Sequence, residues 1–199
     1  MTPRELSRLV KRRPRTQLAE SLCEIHPDVL KAWHEAEKLL KRARVRFTPI
    51  GRFELNLLGV GSPTFDVDLL VSMRQFERAV VALRPITQDI EQEKPVAILK
   101  TSFGPFLELF PSGITAGQIA ALRGKRKNHP AAQVKFLLRR RGLIGAIENK
   151  LASFFSATDR QKDAGDVQEL IKKYQLLRTF AHKLHPSVRS AFLRLVPKR

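Results

Sequence analysis

Thr64-Phe65-Asp66-Val67-Asp68-Leu69-Leu70-Val71 sets two carboxylates one residue apart inside an apolar, strand-like run. Successive side chains on a strand point to opposite faces. Asp66 and Asp68 therefore share one face, while Val67 and Leu69 turn the other way, toward a core. Side-by-side carboxylates repel, and a buried charge without a partner is costly. Such a strand calls for a cation, and hard divalent ions such as Mg²⁺ prefer carboxylate oxygen. Phosphoryl-transfer chemistry uses a pair of this kind to hold metal ions over a triphosphate. Plainer roles stand beside that one: a strand-start cap for Asp66, and a surface position on a half-exposed sheet for Asp68.

Working outward, Gly61-Ser62-Pro63 is a turn, and Val45 to Ile50 reads as a first strand ending at Gly51, followed by a short helix or turn over 52–59. Upstream, helical spacing predicts a short amphipathic helix over 16–26 and a longer one over about 28–43, opened by Pro27. The spacing of Val29, Leu30, Trp33, Ala36, Leu39 and Leu40 makes Trp33 a core residue rather than a base-stacking platform. Downstream come a helix over 73–83, a strand near 96–101 and another over 104–110. Phe106 and Glu108 should share one face of that strand, with Leu107 and Leu109 on the other. Residues 114–129 have no clear pattern. From about 134 the pattern is helical to the end, with breaks near Gly142, Asp159 and His185-Pro186. This order predicts an α+β fold: a mixed β-sheet flanked by helices, followed by a C-terminal helical bundle. The expected division is a basic arm and helices over 1–44, an α/β core over 45–129 and a helical region over 130–199.

Thirty-seven Lys and Arg residues against 19 Asp and Glu give a net charge of +18 on 199 residues. So large an excess points to a polyanionic partner, RNA or DNA. Two clusters, Arg123-Gly124-Lys125-Arg126-Lys127 and Arg139-Arg140-Arg141, are candidate backbone contacts. Such contacts give salt-dependent, sequence-blind affinity. Either cluster alone is also what a solvated basic face looks like. One Trp and one Tyr, with phenylalanines that mostly fit core positions, give little support to single-strand stacking. The single Cys23 excludes an intramolecular disulfide framework, and the histidines form no metal-ligand spacing. No stretch approaches the roughly 20 apolar residues of a membrane span. The expected compartment is the cytoplasm.

Taken in order, Gly51-Arg52 at a turn, thirteen intervening residues, Asp66-Val67-Asp68 and a later acidic strand resemble the nucleotidyltransferase superfamily, the polymerase-beta-like group. Within it, the likeness is to small bacterial abortive-infection and toxin-type nucleotidyltransferases. It rests on three segments: residues 59–71, Leu107-Glu108-Leu109-Phe110, and Glu148-Asn149-Lys150-Leu151-Ala152 followed by Arg160-Gln161-Lys162-Asp163 and Asp166-Val167. It spans about residues 20–175. Two positions depart from the group's pattern. Arg52 stands where a small residue would let backbone amides approach a triphosphate. Ser62 stands where the group has Arg.

The resemblance implies Mg²⁺-dependent transfer of a nucleoside monophosphate from an NTP to an acceptor. Asp66 and Asp68 would hold the metal, and Glu108 would complete a second metal site and help activate the attacking hydroxyl. Gly51, Arg52, Ser62, Lys150 and Asp163 would contact the nucleotide. Arg52 either reaches phosphate with its guanidinium or blocks the pocket. Asp163 and Asp166, three apart on a helix, either orient Lys150 or Arg160 or cap the helix start. Glu54 is a competing carboxylate, expected to be solvated. The acceptor implied by the charge is RNA, with tRNA a candidate, and a toxin-type role implies a cognate antitoxin. A protein hydroxyl is a further acceptor candidate. The alternative reading, motivated by Arg52 and Ser62, is a catalytically degenerate member that binds nucleic acid.

Overall fold

The computed structural model describes residues 25–61, 63–93, 95–124 and 127–198. The basic arm, most of the helix expected over 16–26, Cys23, Ser62, Lys125 and Arg126 lie outside the described residues.

Helix α1, Pro27–Arg42, opens with Pro27 in its first turn, and the His26 ring accepts a hydrogen bond from the Asp28 amide. Asp28 in the first turn and Lys41 and Arg42 in the last complement the helix dipole. Val29, Ala32, Ala36 and Leu40 form its buried stripe. Trp33 lies partly buried against Phe47 and Phe53. Strand β1, Phe47–Ile50, leads directly into the short helix α2, Gly51–Leu57. Strand β2, Asp66–Val71, carries the acidic pair. A 3₁₀ turn and helix α3, Phe76–Leu83, follow, with Phe76, Ala79, Val80 and Leu83 buried. Strands β3, Thr87–Glu93, β4, Val96–Thr101, and β5, Phe106–Pro111, complete a five-stranded sheet of order β1-β2-β5-β4-β3. The β2–β5 pairing is parallel; the other three are antiparallel. The sheet is mixed and flanked by helices, as the order of elements predicts.

Three segments differ from the sequence reading. Strand β3 is absent from that reading, because Thr-Gln-Asp-Ile-Glu-Gln-Glu has one large apolar residue, Ile90. It is an edge strand, where charged side chains are tolerated because one flank has no neighbour. The stretch without clear pattern contains helix α4, Ala116–Leu122, opened by a capping box between Thr115 and Gln118. That Thr-x-x-Gln signal is a local one. Residues 134–142 are not helical. Phe136 exchanges backbone hydrogen bonds with Ile114 and Gly113, and Lys135 bridges to Thr115. Pairing with a distant segment here overrides local spacing.

Helices α5, Leu143–Phe154, α6, Gln161–Lys173, and α7, Pro186–Leu195, form the C-terminal part. The sheet separates two apolar layers. Val67, Leu69, Val71, Leu99, Leu107 and Leu109 face α1 and α3. Leu70 and Phe110 face α5, α6 and α7 on the opposite side. The acidic pair sits on this second face, at the end of β2 where the strand begins. Among the described residues, no helix is long and apolar enough to cross a membrane.

Candidate active site

Parallel pairing in register sets Asp66 opposite Phe106 and Asp68 opposite Glu108. Neighbouring strands lie about 4.8 Å apart, so three carboxylates converge: oxygens of Asp66, Asp68 and Glu108 lie within 4.8 Å of one another. Thr64 Oγ1 donates to Asp66 Oδ1 at 2.8 Å, orienting that carboxylate. Arg123, at the end of α4, donates to Glu108 Oε2 at 2.9 Å.

Gly51 packs directly against this cluster. Its φ of +68° is one that side-chain-bearing residues rarely adopt. A Cβ there would lie 2.0 Å from Asp68 Oδ2. The turn from β1 into α2 therefore closes over the Asp68 carboxylate, and only glycine leaves room for it.

Burial, followed by repulsion from Glu108 and Asp66, pushes the Asp68 carboxyl up to about 8. Glu108 is raised as well, chiefly by burial, with Arg123 opposing the rise. Three oxygen donors crowded together in a half-buried corner suit a hard divalent cation.

The carboxylates form one wall of a cleft of about 360 Å³. Arg52, Lys150, Arg160 and Lys162 line it elsewhere. Lys150, on α5, is buried, and its Nζ lies 2.9 Å from Asp163 Oδ1. It also lies 2.6 Å from Asp166 Oδ2, an ion-pair contact rather than an aligned hydrogen bond. Arg160 Nη1 is 3.8 Å from Asp163 Oδ2, and Arg52 Nη2 is 3.9 Å from Asp166 Oδ2. Of the two roles the sequence leaves open, Asp163 and Asp166 take the first and hold Lys150; Asp163 lies in the first turn of α6, but no side chain caps that helix with a hydrogen bond. Arg52 leans on Asp166 at the cleft wall.

No protein-family model matches the sequence, and no curated protein matches it. Among solved structures, the chain is similar to the Thermotoga maritima CCA-adding enzyme complexed with tRNA, with a TM-score of 0.46 and 14% identity, over 93% of this chain and 45% of that one. It is also similar to a CCA-adding enzyme complexed with CTP, with a TM-score of 0.43 and 14% identity, over 90% of this chain and 46% of that one. A third similarity is to terminal uridylyl transferase 4 from Trypanosoma brucei with bound GTP, with a TM-score of 0.36 and 12% identity, over 81% of this chain and 72% of that one. The chain spans just under half the length of the CCA-adding enzymes it matches.

Two residues behave differently from their sequence reading. Glu54, expected to be solvated, is only 5% exposed. One of its oxygens accepts the Gly142 amide at 3.1 Å, and the other, Oε2, has no hydrogen bond. Burial pushes its carboxyl up to about 8. Its partner lies 88 residues away, beyond the reach of local pattern. The folded pKa is raised above the unfolded one, so stability is fully present below about pH 4.5 and is lost as pH rises toward 8. Glu54→Gln keeps an acceptor for Gly142 and has no charge to bury. We expect it to stabilise the protein at pH 8 by on the order of 3 kcal/mol relative to its effect at pH 5, since each tenfold change in proton affinity is worth about 1.4 kcal/mol. Urea unfolding at the two pH values measures this, and an equal effect at both would contradict it.

Arg140 is engaged within the fold. The sequence groups it with Arg139 and Arg141 as a nucleic-acid contact, but its Nε donates to Glu148 Oε2 at 2.9 Å and its Nη2 to Glu148 Oε1 and to the Lys183 carbonyl. Glu148 also accepts the His185 amide. Arg140 therefore ties the segment before α5 to the segment before α7. Arg139 and Arg141 are exposed. Lys127 is exposed too, with its amide bonded to the carbonyl of Ser156, a cleft-lining residue.

Proposed function

We propose that this protein is a divalent-metal-dependent nucleotidyltransferase that moves a nucleoside monophosphate from an NTP onto RNA. The observation that carries this reading is the convergence of Asp66, Asp68 and Glu108 from two adjacent parallel strands onto one side of a cleft with cationic residues around it. Asp66 and Asp68 would hold Mg²⁺, with Glu108 completing a second site. Bound there, the metal would neutralise charge on the transferring phosphate and the departing pyrophosphate.

The chain's own residues supply the rest. Gly51 leaves space for the Asp68 carboxylate, and Thr64 orients Asp66. Arg52, Lys150, Arg160 and Lys162 face the cleft, where a polyphosphate would lie. Lys150 is held by Asp163 and Asp166, so it meets an anion from a set position rather than as a free tether. Glu108, steadied by Arg123, would complete the second metal site beside the place where the attacking hydroxyl must arrive and would help activate it there. RNA as acceptor follows from the +18 charge. A tRNA acceptor, a toxin-type role and a cognate antitoxin are the finer form of this proposal.

The test is incubation with each α-labelled NTP in turn, Mg²⁺ and total cellular RNA, beside an Asp66→Ala/Asp68→Ala control. Label passed to RNA by the native protein alone is the expected result, and EDTA should abolish it. Label on protein would redirect the acceptor. No label anywhere, with RNA bound equally by both forms, would leave a binding module on a degenerate site.

A further inference from the structure

Most phenylalanines of this chain lie in or against the core, but Phe106 is 44% exposed and Phe65 75% exposed. Both stand at the edge of the acidic site. Phe65 immediately precedes Asp66, and Phe106 is the register partner of Asp66 on β5. Because β5 alternates, the Phe106 ring lies on the same sheet face as Glu108 and the two aspartates. Among the described residues it meets no other ring and no cation. The face continues onto β4, where Lys100 pairs with Phe106 and Ile98 with Glu108. Ile98 is half-buried and Lys100 is exposed, so this part of the sheet stays accessible to solvent.

We infer that Phe106 is the stacking platform for the terminal base of a single-stranded RNA acceptor, seated on this face beside the carboxylates. The inference rests on the transferase reading above. Neighbouring strands are about 4.8 Å apart, so a base laid on Phe106 brings its ribose next to Asp66 and Glu108, where an attacking hydroxyl must arrive. Lys100 offers a cation for the adjoining phosphate. Asp89 and Glu91, the register partners of Lys100 and Ile98 on β3, make the outer edge acidic. They repel a phosphate backbone from that edge and leave the approach along Phe106 and Lys100. A duplex end presents its bases already stacked and paired, whereas an unpaired end can lay its last base on an aromatic ring.

The test uses the full chain and a fluorescein-labelled single-stranded RNA, with the same sequence as a blunt duplex, in about 200 mM salt to weaken sequence-blind phosphate attraction. Phe106→Ala should weaken single-strand binding about tenfold, the order of one base–aromatic stack, and leave duplex binding unchanged. Phe106→Trp should restore it. A 2-aminopurine at the 3′ end should be quenched by the native protein and by Phe106→Trp but not by Phe106→Ala. Phe106 is exposed, so folding should survive, and a melting curve checks this. Native-like single-strand binding by Phe106→Ala, or equal weakening of strand and duplex, would overturn the platform without touching label transfer. Absence of label transfer by the native protein would instead sink the transferase reading while leaving these binding results intact.

Discussion

Gly51→Ala is expected to lower the transfer rate by about a hundredfold or more while costing only modest stability. The backbone at Gly51 has φ +68°, and an alanine there is strained by about 1–2 kcal/mol. The new Cβ would meet Asp68 Oδ2 at 2.0 Å, far inside contact distance. That oxygen ends a side chain, so the fold can yield by rotating the carboxylate away. The relief is local and cheap in stability, but it displaces the very group proposed to hold metal. A displacement of about 1 Å in a reacting constellation can cost a hundredfold in rate. Single-turnover transfer and Mn²⁺ titration, read beside a melting curve, check the prediction. Native-like metal affinity and rate would show that the close approach of Gly51 and Asp68 is irrelevant to function.

Lys150→Met is expected to destabilise the fold by about 3–5 kcal/mol. Asp163 is 0% exposed, and its Oδ1 lies 2.9 Å from Lys150 Nζ. Removing the cation strands a buried carboxylate, with Arg160 3.8 Å away on its other side. Breaking one partner of a buried pair costs that much because the remaining charge has lost its compensation. The double variant Lys150→Met/Asp163→Asn should regain a large share of the loss, as expected for residues coupled in one network. Urea denaturation of the two single variants and the double variant measures the coupling. A loss below about 1 kcal/mol in Lys150→Met, or additive losses in the double variant, would refute it.

The legible part of the site is the part written in local periodicity. Alternation along β2 puts Asp66 and Asp68 on one face, and alternation along β5 puts Glu108 beside Phe106. Helices α1 and α3 follow from apolar spacing. The capping box at Thr115 is also local, but α4 behind it is too short to show a helical period of its own. Strand β3 carries no apolar alternation to read, because it buries little on either face: Gln88, Asp89 and Glu91 are exposed and Ile90 is half-buried.

By itself, the sequence determined the chemistry on offer: a paired-carboxylate strand, a third acid on a later strand, a cationic surplus and the α+β order of elements. These depend on neighbours a few residues apart, where the 2- and 3.6-residue periods hold. Tertiary structure alone decided the rest. It set β2 parallel to β5 so that three acids meet. It buried Glu54 against Gly142 and turned Arg140 from a surface contact into a clamp on Glu148. It also left Phe106 uncovered beside the acids. In each case the deciding contact lies across the chain, where its energy comes from desolvation and long-range pairing, and no local pattern encodes either.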